Sequence, residues 1–205
     1  LSPVTLGRLS KINRPVVWTL HDEFAFTGGY HYSSGSNIHT DLDGSDAQLK
    51  NDPFSLSLLN LKDKLTLWKN WDNLTVVSPS VWLAEEAKKS LLFRNKRVEV
   101  IANGHPEDVF YPEDRAEAKA KLGISEDTLT ILFGAANGNE FRKGFGFLQE
   151  LLDEMVEQKV FKELLSQNRL AAVVIGSPNQ ELEKLPIPVF STGSISDEDK
   201  MRWAY

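Results

Sequence analysis

The chain of 205 residues contains no cysteine, which excludes disulfides, thiolate zinc centres and cysteine nucleophiles. No apolar run approaches the length of a membrane-crossing helix. The N-terminus lacks a secretory pattern, and there are no internal repeats or low-complexity tracts. These absences make an intracellular, cytoplasmic globular protein the expectation. The composition, 41% apolar, 10% aromatic and 25% charged, is ordinary for that class, and the length suits one large or two small domains.

A surplus of positive charge is missing as well. Residues 1–105 carry 12 Lys/Arg against 11 Asp/Glu, and residues 106–205 carry 11 against 18. A basic surface for nucleic acid is therefore not expected. The cluster Lys88, Lys89, Arg94, Lys96 and Arg97 reads either as a solvated helix end or as a face toward an anionic membrane or substrate.

What is present is a twofold alternation of strand and helix patterns. A helix is expected over Leu1 to Ile12. Val16–Leu20 reads as a strand, a helix follows near Phe54–Trp68, and Leu74–Val77 is a second strand. Ser80 is placed to cap a helix through Leu91, and Val98–Ile101 is a third strand. Asn103–Pro112 interrupts the pattern and marks a domain boundary. Asp114 and Glu117 then form a capping-box signature for a short helix stopped by Gly123. Strands follow at Leu129–Phe133, Leu170–Ile175 and from Pro188, with a long helix after the first and a helix capped by Ser196 after the last. The expectation is an α/β protein with two parallel-sheet domains, 1–105 and 106–205. Both ends of the chain interrupt a pattern, so both domains are expected to be incomplete.

The most informative stretch runs from Thr128 into the helix that starts at Phe145. A buried-type strand gives way to a polar loop ending in Arg142-Lys143-Gly144. Two cations beside a helix start, with its unpaired N–H groups and positive dipole end, favour a phosphate or diphosphate. The alternative is a solvated, charged helix start.

Taken in order, five segments resemble one family. They are Pro15-Val-Val-Trp-Thr-Leu-His21-Asp22 with Phe26-Thr-Gly28-Gly29; Val77-Ser78-Pro79-Ser80-Val-Trp82; Val98-Glu-Val-Ile101-Ala-Asn103-Gly104; Leu132-Phe133-Gly134; and Arg142-Lys143-Gly144-Phe145. Together they are similar to the group 1 (family 4) glycosyltransferases of the GT-B fold, particularly bacterial enzymes of surface-polysaccharide synthesis. The resemblance implies two Rossmann-like domains, the first mainly for the acceptor and the second for a nucleotide sugar. It implies a retaining transfer of a hexose to a saccharide or lipid-linked acceptor, with no metal or cofactor and with peripheral contact at the inner face of a membrane.

Residue by residue, the resemblance gives Lys143 and Arg142 the donor diphosphate, and His21 a catalytic place in the cleft. Asp22, Gly28, Gly29 and Ser78 would line that cleft, and backbone at Gly193, Ser194 and Ile195 would hold the donor base. Three departures stand out. Ala102 replaces a proline. Ala135 and Ala136 occupy the place of an upstream arginine, whose charge Arg142 would supply. Tyr30-His31-Tyr32 stands where relatives carry cysteines. The family's E-x7-E pair would lie beyond Tyr205, so the 205 residues alone are expected to be inactive; Glu99 and Glu107 match that spacing by chance.

Several residues carry plainer readings. His21 can be a loop histidine bonded to backbone, and Gly28-Gly29 an ordinary turn. Asp41, Asp43 and Asp46 suggest a calcium loop, but the glycine and the twelfth residue are wrong for one. Trp68, Trp71, Trp82 and Phe54 read as core or interface residues. The rival reading is a non-catalytic Rossmann-like nucleotide-binding or interaction module. An epimerase of related architecture is disfavoured, since no G-x-x-G-x-x-G turn follows the first strand.

Overall fold

The computed structural model describes residues 2–33, 35–37, 39–42, 52, 54–134, 143–176 and 182–205. The chain divides into two compact units, Leu1–Gly104 and His105–Tyr205. Each has a three-stranded parallel sheet with helices between its strands.

The first unit runs α1 (Pro3–Leu9), β1 (Val16–Thr19), α2 (Leu56–Leu67), β2 (Leu74–Ser78), α3 (Val81–Lys89) and β3 (Arg97–Val100), with strand order β1-β2-β3. Central β2 is covered on both faces, with Leu74, Val76, Val77 and Ser78 all buried, as a strand between two parallel neighbours requires. β1 alternates instead, turning Trp18 inward and leaving Val17 66% exposed. Trp18 meets Trp68 and Trp71 at ring-centroid distances of 5.7 and 6.2 Å, and these rings with Phe26 and Phe93 fill the core under the sheet. Trp68 also donates its Nε1–H to the Pro3 carbonyl at 3.1 Å, tying α1 down.

Ser80 caps α3 as expected, accepting the Leu83 N–H at 3.2 Å. Trp82 and Phe54 are 61% and 75% exposed, which excludes the core half of their core-or-interface reading. Trp82 falls in the first turn of α3, one residue before the inward-facing pair Leu83 and Ala84, so the helical period turns it away from the sheet.

The second unit runs α4 (Arg115–Lys121), β4 (Leu129–Gly134), α5 (Phe145–Met155), α6 (Lys159–Ser166), β5 (Leu170–Ile175), a 3₁₀ turn at Leu182–Lys184, β6 (Val189–Gly193) and α7 (Glu198–Ala204), with order β4-β5-β6. Asp114 caps α4 by accepting the Glu117 N–H at 3.0 Å. Two boundaries differ from the sequence reading. The long helix is two helices, since Gln158 takes an extended conformation and starts α6 afresh, bringing Phe161, Leu164 and Leu165 onto the core that Met155 and Val156 also meet. The cap of α7 is Asp197, not Ser196; its carboxylate accepts the Lys200 N–H at 2.8 Å.

β5 is the buried centre of this sheet, with Leu170 through Val174 all buried. Its core packs on Phe145 and Leu152 of α5, and Phe133 meets Phe145 edge to face at 5.6 Å. Among the described residues no helix is long and apolar enough to cross a membrane.

Candidate functional site

Ligands of open parallel sheets bind outside the carboxyl ends of the strands, and each unit puts expected site residues there. In the first unit the chain leaves β1 at buried Leu20 and enters a loop carrying His21, Asp22, Gly28 and Gly29. His21 is exposed and Asp22 half-buried.

The interior of this loop is tied down by polar side chains that sequence reasoning missed. Buried Glu23 accepts from Ser33 through both its backbone N–H and, at 3.0 Å, its hydroxyl. Lys64 of α2 is 2% exposed and donates to the carbonyls of Phe24 (2.7 Å), Thr27 (2.8 Å) and Ala25 (3.4 Å). Its ammonium also lies 4.7 Å from the Phe24 ring centroid and 5.6 Å from that of Trp68. Burial pushes the Lys64 pKa down to about 8, so at neutral pH it remains the cation that three carbonyls require.

Gly28 is buried against the first turn of α2, where a β-carbon would overlap the Ser57 carbonyl. Its closeness thus serves helix packing, and Asn60 donates to its carbonyl at 2.8 Å. Gly29 is half-buried beside the Asn60 amide. Ser78 is fully buried; its hydroxyl donates to the Ser80 carbonyl at 2.8 Å, which turns the chain from β2 into α3. The structure therefore gives Gly28 and Ser78 packing roles.

In the second unit β4 ends at Gly134, and α5 begins after Lys143 and Gly144. Arg142, Ala135 and Ala136 lie outside the described residues. Lys143 is exposed. Gly144 is the N-cap with φ +78°, a glycine offers no side chain of its own to cap the helix, and the first turn holds no acidic residue. The positive end of an 11-residue helix thus lies next to the Lys143 cation. A side chain at Gly144 would be strained in this left-handed conformation, so backbone and Lys143 form the described part of the rim.

At the same sheet edge, Gly193 ends β6. Its carbonyl accepts the Gly176 N–H at 3.0 Å and the Thr192 hydroxyl at 3.0 Å. Ser194 is exposed and Ile195 half-buried, on the stretch leading to α7. Lys143, Gly193, Ser194 and Ile195 belong to one unit; His21, Asp22, Gly28, Gly29 and Ser78 belong to the other.

A cavity of about 740 Å³ is elsewhere in the second unit, lined by Tyr111, Glu113, Lys119, Leu129, Arg202 and Trp203 among others. None of the four described residues among those expected in this unit lines it. Arg202 pairs there with Glu113 at 2.8 Å and lies 4.4 Å from the Tyr111 ring centroid. Burial pushes the Glu113 carboxyl up, but hydrogen bonds from Arg202 and Lys121 outweigh it and hold the group below its ordinary value. Among the described residues no group of three or more His, Asp or Glu is arranged to hold a metal ion; Asp43 and Asp46 of the calcium-like segment lie outside them.

No protein-family profile matches the chain. Over 88 residues, 40% of this chain and 17% of the relative, it is 34% identical to D-inositol 3-phosphate glycosyltransferase of a Nocardioides species. Among solved structures it is similar to sucrose-phosphate synthase of Thermosynechococcus elongatus, with a TM-score of 0.56 and 17% identity over 98% of this chain and 44% of that one. The matched stretches make up less than half of either protein. The chain is similar to glycosyltransferases, and its two Rossmann-like parallel sheets are of the GT-B type.

Proposed function

We propose that the chain forms part of a retaining glycosyltransferase that moves a hexose from a nucleotide-diphosphate sugar to a saccharide or lipid-linked acceptor. The observation that carries this reading is the start of α5, where the positive end of the helix adjoins Lys143 in a chain similar to glycosyltransferases. As the glycosidic bond breaks, the leaving diphosphate gains negative charge. A fixed helix end and a cation stabilise that charge more in the transition state than in the ground state, and they do so without a metal.

Lys143 is the principal cation of this site and Arg142 its partner in place of the missing upstream arginine. Backbone at Gly193, Ser194 and Ile195 receives the base, since it shares the sheet edge with α5. His21 acts at the transferring sugar, beside Asp22. Such an enzyme would work in the cytoplasm, at the inner face of a membrane, in polysaccharide synthesis.

The test is kcat and KM for donor turnover in the whole enzyme, wild type and Lys143→Ala. Losing one preorganised donor of this kind costs ~10²–10³ in rate, so kcat is expected to fall by that factor while circular dichroism is unchanged. A folded variant with wild-type kcat would put the diphosphate elsewhere.

A further inference from the structure

The loop after β1 holds a second histidine, and it has an oriented ring. Asp22 divides its carboxylate: Oδ1 accepts the Phe24 N–H at 2.9 Å, and Oδ2 lies 2.7 Å from His31 Nδ1. The His31 carbonyl accepts the Glu23 N–H at 3.1 Å. Its ring stacks on Phe24 with centroids 5.2 Å apart and planes at 25°. Phe24 is itself fixed, because Lys64 holds its carbonyl and faces its ring. Backbone, ring face and Nδ1 of His31 are thus all constrained, yet its side chain is 61% exposed.

A carboxylate at Nδ1 keeps the proton of a neutral imidazole on that nitrogen and makes Nε2 the acceptor. Beside it, the Tyr32 ring lies 6.3 Å away, centroid to centroid, and Tyr32 is 43% exposed. A sugar ring offers hydroxyl donors around its rim and C–H groups on its faces. An oriented nitrogen acceptor next to an exposed aromatic ring matches both features.

We infer that His31, oriented by Asp22, binds a hydroxyl of the saccharide acceptor, with the Tyr32 ring against a C–H face of the same sugar. The inference rests on the glycosyl-transfer reading above and deepens it. His31 is then an acceptor-binding residue, and Asp22 is its positioning residue.

The experiment is NMR of the histidine ring nitrogens in the 15N-labelled chain, titrated with methyl α-D-glucopyranoside, methyl α-D-mannopyranoside and myo-inositol. His31 is expected as the Nδ1–H tautomer, with an Nε2 resonance that shifts saturably with at least one probe. His31→Gln should weaken that probe roughly three- to tenfold, the loss of about one hydrogen bond. Asp22→Asn should change the tautomer pattern of His31 and weaken the same probe in a folded chain.

A pair that only staples the loop would show the tautomer but no response to any probe, and that result overturns the inference. Turnover of nucleotide sugar by the whole enzyme is measured separately. Turnover with a silent His31 rejects the inference alone; a responding His31 without turnover rejects the transfer reading alone.

Discussion

The two units place residues at the same kind of sheet edge by different means. In the first, the loop after β1 is locked by side chains: Lys64 reaches three carbonyls, Glu23 holds Ser33, and Gly28 lets the loop lie on α2. In the second, the described rim is largely backbone: a glycine opens α5, another closes β6, and exposed Lys143 brings charge. A loop buried under side chains cannot change without cost to its unit. A rim of backbone with one exposed cation can lose that cation and keep its fold. The first arrangement suits a fixed surface, the second a charged group that arrives and leaves.

The sharpest way to break this contrast is Gly28→Ala. A methyl group there meets the backbone of α2 rather than a flexible side chain, so the helix or the loop must move. The expected destabilisation is about 3 kcal/mol or more, read as a shift in the urea midpoint of the first unit. A wild-type midpoint would mean that the loop does not lie on α2.

Lys64→Met is expected to cost less, about 2–4 kcal/mol, because it leaves carbonyls without their buried donor. It also carries a pH signature. Burial sets the folded pKa of Lys64 at about 8, below its ordinary 10.5. The unfolded state therefore binds more protons in that interval, and wild-type stability should rise, relative to Lys64→Met, as pH climbs from about 8 to 10.5. Urea titrations of both proteins across that range measure the difference; a constant difference would contradict the buried cation.

The smallest expected effect lies in the second unit, at Glu113. Its folded pKa is held below the ordinary 4.5 by Arg202 and Lys121 against the opposing effect of burial. Its contribution is present above the unfolded value and is lost as pH falls through the folded one. Glu113→Gln should lower the Tm slightly near neutral pH and match wild type in acid. An equal Tm difference at both ends of the range would show that the pair is not what the substitution removes.

Much of the frame was legible because it depends on local signals. β5 lies at Leu170–Ile175 as its unbroken apolar run indicates, and Ser80 and Asp114 cap the helices they precede. The break between α5 and α6 carries no glycine or proline and follows from which side chains reach the core. The loop lock was illegible for a different reason. Lys64 sits in a helix where a lysine ordinarily marks the solvent face, and its partners are 37 to 40 residues away. Asp22 was read beside His21, its neighbour in sequence, while the contact it makes is with His31, nine residues on. Trp68 and Trp71 lie in the core, as one half of their core-or-interface reading has it, but Trp82 precedes the first inward residue of its helix and is exposed.

The central claim, a diphosphate at the start of α5, is tested most directly by isothermal titration of UDP, GDP and ADP and their monophosphates into wild type and Lys143→Ala. The account predicts that one diphosphate binds at least about tenfold more tightly than its monophosphate, and that Lys143→Ala removes most of this difference without moving the Tm. Equal binding of diphosphate and monophosphate, or a difference that survives in Lys143→Ala, would contradict it.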